Sequence, residues 1–219
     1  MKGADFVAEF RRVMNDEAQG QLWTDEEIIR YLNSAVEEAC ERAQLIEDRS
    51  SSQCCQLNLT PGQATYRLHP SVLHIKRMAF NGRPLLDTSE EELDTAEPGW
   101  ESRTGQPRAF FRVGVRDVRI VPIPQAVAVL NMTVYRLPLK PVPEDTFDGA
   151  TIELPDIYHL RLMAWIYRCA LLKNDSEVIN PVKAAQFEAQ FEQSFGKRPD
   201  ANVQRKRRDK RPPVVRCTW

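Results

Sequence analysis

The sequence predicts an α+β fold: a helical bundle built from the N- and C-terminal helices, an inserted antiparallel β domain, and an extended basic C-terminal tail. Three observations predict it. Apolar residues recur at helical spacing over residues 4–47 and again over 154–196. Between these stretches, over about residues 55–140, apolar residues alternate and are punctuated by Pro-Gly and Asn-Gly pairs. Last, Lys197–Trp219 has three prolines and no apolar period, and carries nine Lys and Arg against two Asp, a net charge of +7, whereas residues 1–196 carry −8. The expected divisions are 1–49 for the N-terminal helices, 50–153 for the β domain with a Pro-rich connector, 154–196 for the C-terminal helices and 197–219 for the tail.

Phe6, Val7, Phe10, Val13 and Met14 share one face of a short amphipathic helix over 4–18, which ends near Gln19–Gly20. The next helix is expected over 25–47. Thr24 and Glu27 have the spacing of a capping box, and Leu22 or Trp23 can staple onto Ile28. Ile28, Leu32, Ala35, Ala39, Ala43 and Ile46 line its inner face, widened by Ile29, Val36 and Cys40; the small residues allow a second helix close approach.

From Ser50 the period becomes two. Cys55, Leu57 and Leu59 alternate before a Pro61–Gly62 turn, and Tyr66–Leu68 and Ile75–Phe80 read as strands. Asn81–Gly82 is a hairpin signal ahead of Pro84–Leu86. The acidic segment Thr88–Glu97 suits one or two helical turns and is expected to be peripheral. Phe110–Val115 and Val118–Ile123 alternate around a turn near Arg116–Asp117, and Ala126–Leu137 follows the Pro122–Pro124 break. After the connector, Leu154–Pro155 starts a helix with Leu160, Met163, Ala164, Tyr167, Leu171 and Leu172 inward. Asn180–Pro181 starts the last helix, with Ala184, Phe187, Phe191 and Phe195 inward and Gly196 as the cap.

The chain has 219 residues, 42% hydrophobic and 28% charged, the balance of a globular protein. No apolar run approaches the ~18 residues of a membrane span. Met1–Phe10 carries Asp5 and Glu9 and reads as neither a signal nor a transit peptide. The five cysteines are odd in number and lack a CxxC; only Cys54 and Cys55 are adjacent, so free thiols in a reducing compartment are expected. His69, His74 and His159, even with Cys54 and Cys55, match no zinc spacing, and read as structural or surface residues. The run Ser89–Glu92 reads as a solvated helix start, and Asp25, Glu26 and Glu27 suit a helix N-terminus. There is no GxGxxG, Walker loop, GxSxG or HExxH. The chain is therefore expected to be no enzyme and to hold no cofactor or metal.

The tail is the candidate binding element. Alone it would be disordered by composition. Arg205, Lys206, Arg207, Arg208, Lys210 and Arg211 resemble a backbone-binding arm for nucleic acid, or a segment that docks on an acidic protein surface. Val214, Val215 and Trp219 favour a protein groove, because phosphate contact does not need apolar anchors. One function class left open is thus a cytoplasmic nucleic-acid-binding protein using the basic tail.

Four stretches carry a resemblance: LWTDEEIIRYLNSAVEEACERAQLI, then PGW with GQP, then RIVPIP, then LPDIYHLRLMAWIYRCALLKNDSEVINPVKAAQFEAQF. Together they make most of residues 20–196 similar to the head-to-tail adaptor proteins of tailed bacteriophages. The most specific parts are the LW-T-DEE helix start and the LP-x-x-Y-H helix followed by the Asn-Pro helix; these are packing and capping patterns, and the basic tail matches no family motif. The resemblance implies a structural virion protein at the head–tail junction, made in the bacterial host cytoplasm. It implies a ring of copies, commonly twelve, joining the portal protein to tail proteins (tube, nozzle or fibres), with DNA passing through the lumen without sequence-specific binding.

Overall fold

Helix α1 spans Gly3–Met14. Asp5 stands in its first turn and accepts the Lys2 amide at 2.7 Å, which suits the helix dipole. Gly3 is required by close approach: its amide donates to the Ala150 carbonyl at 2.9 Å, and a Cβ there would lie 2.3 Å from the Phe147 carbonyl oxygen. The helix stops short of the expected 4–18, because Asn15 turns left-handed at φ 56° and Asp16 turns inward to take Arg11 and the Leu22 amide. Phe6, Val7 and Phe10 are buried, while Val13 is left exposed.

The structure, a computed structural model, describes residues 1–17, 22–175 and 178–200. They form an α+β protein that divides into two compact units, Met1–Ile46 with Leu137–Arg198, and a β-rich unit containing Glu47–Arg136.

In the first unit, helix α2 (Asp25–Ala43) begins with the expected capping box: the Glu27 amide donates to Thr24 Oγ1 at 3.3 Å, and Glu27 Oε2 accepts the Thr24 amide at 3.0 Å. It ends at Ala43 rather than 47, because Gln44 adopts φ 51° and residues 46–48 become a strand. Its buried face is Ile28, Ile29, Leu32, Ala35, Val36, Ala39 and Cys40; Ala43 is exposed. The Pro-rich connector is fixed to α2 by Asn33, whose side-chain amide exchanges two 2.9 Å bonds with the Val142 backbone, as a neighbouring strand would.

Asp156–Tyr158 form a 3-10 turn, so helix α5 is His159–Leu171 and starts four residues after Pro155. That start sets its phase: Leu162, Met163, Trp165, Ile166, Tyr167, Ala170 and Leu171 are buried, whereas Leu160 and Leu172, expected inward, are exposed. Helix α6 (Pro181–Phe195) is capped by Asn180, whose Oδ1 accepts the Lys183 amide at 3.0 Å, and ends at Gly196 with φ 84°. Its Ala184, Phe191 and Phe195 are buried, and Phe187 is half-buried against Tyr167.

The β unit holds β1 (Ile46–Asp48), α3 (Ser52–Cys55), β2 (Gln56–Leu59), β3 (Thr65–Arg67), β4 (Val72–Phe80), β5 (Arg83–Pro84), β6 (Leu86–Asp87), α4 (Glu90–Ala96), β7 (Thr104–Gly105), β8 (Ala109–Val113), β9 (Asp117–Val121), β10 (Ile123–Pro124) and β11 (Ala128–Arg136). One sheet runs β1-β11-β4-β5, with β2 also paired to β11; another runs β3-β9-β8-β6; β7 and β10 pair alone. The long pairings are antiparallel, from Leu130↔Phe80 to Arg136↔Val72 and from Ala109↔Val121 to Val113↔Asp117. The expectation of a purely antiparallel domain needs one correction. Two short pairings, β6 with β8 and β7 with β10, are parallel; between β6 and β8 the α4 segment carries the chain across instead of closing a hairpin.

The acidic segment is also more than peripheral. Leu93 of α4 plugs a buried cluster with Trp100, Ala109, Phe111 and Val121, and Asp94 accepts the Trp100 indole N–H at 2.8 Å. Leu93→Ala is expected to destabilise the protein by about 2–3 kcal/mol, read as a fall in the urea midpoint.

Candidate functional site

The tail residues singled out above, Arg205, Lys206, Arg207, Arg208, Lys210, Arg211, Val214, Val215 and Trp219, lie outside the described residues. The root of the tail is described. Gly196 ends α6, and its carbonyl accepts Arg42 Nη1 of α2 at 3.2 Å. The Arg42 side chain is almost fully buried. Its guanidinium carbon lies 5.1 Å from the Trp165 ring centroid and 5.0 Å from that of Phe191, and it bonds Glu38 and Glu188, each at 2.8 Å. Burial opposes its charge, but the Glu188 and Glu38 hydrogen bonds outweigh burial and raise its pKa further. Arg168 pairs with the other Glu188 oxygen and covers Trp165 at 4.4 Å. One charged cluster thus joins α2, α5 and α6 where the tail begins. Two residues past Gly196, Arg198 reaches Glu38 at 3.4 Å and Glu41 at 3.6 Å. It is exposed, so this pair contributes at most about 1 kcal/mol, but it sets the tail off against the acidic side of α2.

The β unit contains a second polar centre, buried and fully bonded. Asp48 Oδ1 accepts the Ser50 amide (2.9 Å), the Ser51 amide (3.1 Å) and the Ser50 hydroxyl (3.2 Å). Its Oδ2 accepts the Ser51 hydroxyl at 2.6 Å and Arg136 Nε at 2.7 Å, with the Cys54 thiol at 3.9 Å. Burial alone would raise this carboxyl. The Ser51 hydroxyl, the Ser50 amide, the Arg136 guanidinium and the Ser51 amide together overcome that and hold it well below the usual carboxylate range. Burial pushes the Cys55 thiol up to about 12, with Cys54 and Asp48 adding to the shift, and burial raises Cys54 too.

Asp48, Cys54 and Cys55 place three potential ligand atoms within 4.8 Å, the one such group found among the described residues. The donor set does not suit a cation: the thiols are held neutral, and both carboxylate oxygens already serve protein donors, one of them a guanidinium. The centre joins β1, the start of α3 and β11.

A pH dependence follows from the direction of the Asp48 shift. Its folded pKa is depressed, so its contribution is complete above the unfolded carboxyl value of about 4 and is lost as pH falls toward the folded value. Below about pH 4, unfolding free energy should fall by up to ~1.4 kcal/mol per pH unit through this group. Asp48→Asn should remove that part of the slope in urea melts run between pH 5 and 2.

The three histidines do not converge. His159 is buried, with Nε2 2.9 Å from the Leu154 carbonyl and its ring 5.7 Å from Phe6. His69 Nδ1 lies 2.8 Å from the Ser71 hydroxyl, and His74 stacks on Tyr135. Ser89 caps α4 by accepting the Glu92 amide, and Asp25 pairs with Arg11. Sequence reasoning missed Arg42, Asp48 and Arg136. Glu38 and Arg42 stand at the four-residue spacing of a helix ion pair, and Asp48-x-Ser50-Ser51 is an Asx-turn pattern, so both left a local signal. Arg136 left none, being 88 residues from its partner.

No helix among the described residues is long and apolar enough to cross a membrane. No curated protein matches the chain. A family model, that of the SU10 adaptor protein, matches residues 1–216. That match takes in both units and all four stretches that resemble phage head-to-tail adaptors, and by it the chain belongs to the SU10 adaptor protein family.

Proposed function

We propose that this chain is a structural protein of a phage virion, a head-to-tail adaptor whose copies form a ring, twelve in the arrangement common to such adaptors, between the portal protein and the tail. The observation that carries this reading is the family match over residues 1–216. The ring joins the portal to tube, nozzle or fibre proteins at the head–tail junction, and DNA passes through its lumen without sequence-specific binding. No catalytic step is assigned to it. A body of −8 charge around the DNA path would not grip passing phosphates.

Within this reading the tail is the anchor. Arg205, Lys206, Arg207, Arg208, Lys210 and Arg211 steer it to an acidic protein surface, and Val214, Val215 and Trp219 fill apolar sites there. Replacing Arg205, Lys206, Arg207 and Arg208 by Gln is expected to slow association with portal-bearing heads about tenfold at low salt, and the deficit should shrink at 0.5 M salt. Stopped-flow association with labelled protein checks both.

A second reading, nucleic-acid binding through the tail, is favoured by the density of the run Arg205–Arg211, in which six of seven residues are basic. Co-sedimentation separates the two. The adaptor reading expects the protein to pellet with portal-bearing heads in nuclease-treated samples. Pelleting that disappears with nuclease, together with salt-sensitive binding to free DNA, would favour the rival.

A further inference from the structure

We propose that the apolar end of the helical unit, where Val13, Leu22, Leu172, Ile179 and Val182 stand exposed, is the docking site for the tail, residues 199–219, of an adjacent copy in the ring. The inference rests on the ring reading above and names the surface that the tail meets. These five are 44%, 40%, 43%, 46% and 74% exposed. They belong to the end where α1 finishes, α2 begins, α5 finishes and α6 begins. Three hydrogen bonds hold them together: the Asn180 amide to the Leu171 carbonyl at 2.9 Å, Lys173 Nζ to the Leu22 carbonyl at 2.9 Å, and the Leu22 amide to Asp16 just past α1 at 2.9 Å. Five of the twelve large exposed apolar side chains among the described residues are therefore gathered at one end of one unit. A gathered patch of this kind marks an interaction surface where scattered residues would not.

Charge selects the occupant. Residues 1–46 and 137–198 contain 12 basic and 19 acidic residues, a net −7, whereas 47–136 contain 11 basic and 10 acidic, a net +1. Residues 201–219 contain 7 basic and 1 acidic, a net +6. The acidity is thus concentrated in the unit that carries the apolar end. The order also matches. Along α2, from its C-terminal turn back to its start, lie the carboxylates Glu41, Glu37 and Glu26, beside Glu38, Glu27 and Asp25, which Arg42, Lys173 and Arg11 already pair, and then Leu22 of the apolar end. Along the tail lie Arg205 to Arg211, and then Val214, Val215 and Trp219. Arg198 already occupies the first acidic position, on Glu38 and Glu41 of its own copy.

Length allows the adjacent copy. Glu41 and Asp25 are separated by about 24 Å of helix at 1.5 Å per residue. The sixteen steps from Arg198 to Val214 reach up to about 55 Å when extended. That is about twice the run along its own α2, so the tail is long enough to cross to a neighbour, which the ring reading places beside it.

The test uses the native Cys217 as the tail's probe. Cys40, Cys54 and Cys55 are buried, so a full-length Val182→Cys variant carrying Cys169→Ser leaves the introduced thiol and Cys217 as the targets of a short bismaleimide. The variant is assembled on portal-bearing heads and crosslinked, with a lysine-reactive reagent applied in parallel. The expected result is a ladder of adaptor multimers with both reagents, the bismaleimide ladder vanishing when Cys217 is changed to Ser. A lysine ladder with no bismaleimide ladder overturns this inference and spares the ring. A bismaleimide product confined to single chains places the tail on its own copy and also overturns it. Absence of both ladders overturns the ring reading itself. Val182→Asp, at an exposed position in the first turn of α6, should lower the yield of stable assemblies about tenfold while leaving the urea midpoint unchanged.

Discussion

Phe191→Ala should lower the unfolding free energy by about 3–5 kcal/mol, seen as a large fall in the urea midpoint with an unchanged slope. Phe191 is fully buried, with ring centroids 4.9 Å from Trp165 and 4.6 Å from Phe195. It also forms one wall of the slot that holds the Arg42 guanidinium. Truncation opens a cavity and lets water reach a charge cluster that joins three helices. Phe187→Ala should cost less, because Phe187 is only half-buried and packs on Tyr167 alone among the described aromatic rings. Equal costs at the two positions would mean that α6 is not held by the Phe191 slot.

Deletion of residues 197–219 should leave a folded protein that no longer joins heads stably. Among the contacts that the deletion removes are the pairs from exposed Arg198 to Glu38 and Glu41, so the unfolding free energy should move by no more than about 1 kcal/mol. Assembly should suffer far more, because +7 of charge and all three apolar anchors leave together. Trp219→Ala alone should weaken binding by about 2 kcal/mol, close to thirtyfold, with little dependence on salt. Wild-type assembly by the truncated chain would show that the anchor lies elsewhere; loss of DNA affinity alone would favour the nucleic-acid reading.

Local signals in the sequence were the readable ones. Thr24 with Glu27, Asn180–Pro181, Gly196 and Asn81–Gly82 each mark a boundary that the structure places at that residue, because a cap or a tight turn depends on a few neighbouring residues. Where a boundary depended on one left-handed residue, at Asn15 or Gln44, periodicity ran past it. The phase of α5 was misread at Leu160 and Leu172 because the 3-10 turn at Asp156–Tyr158 delays the helix. The parallel pairings of β6 and β7 involve two-residue strands, too short to show a period. The local halves of the Arg42 cluster and the Asp48 centre, Glu38 and the Ser50–Ser51 turn, left a pattern, but their distant partners Glu188 and Arg136, 146 and 88 residues away, left none. The tail reads as basic then apolar, but its composition names no partner surface, and residues 201–219 lie outside the described residues.

Electron microscopy of the full-length protein mixed with purified portal shows whether copies of this chain form a ring there. Closed rings of added density coaxial with the portal are expected, present with the full chain and lost or sparse with chain 1–196. Portal particles that stay bare at saturating protein, while the same preparation binds free DNA in a salt-sensitive and tail-dependent manner, would contradict the ring reading.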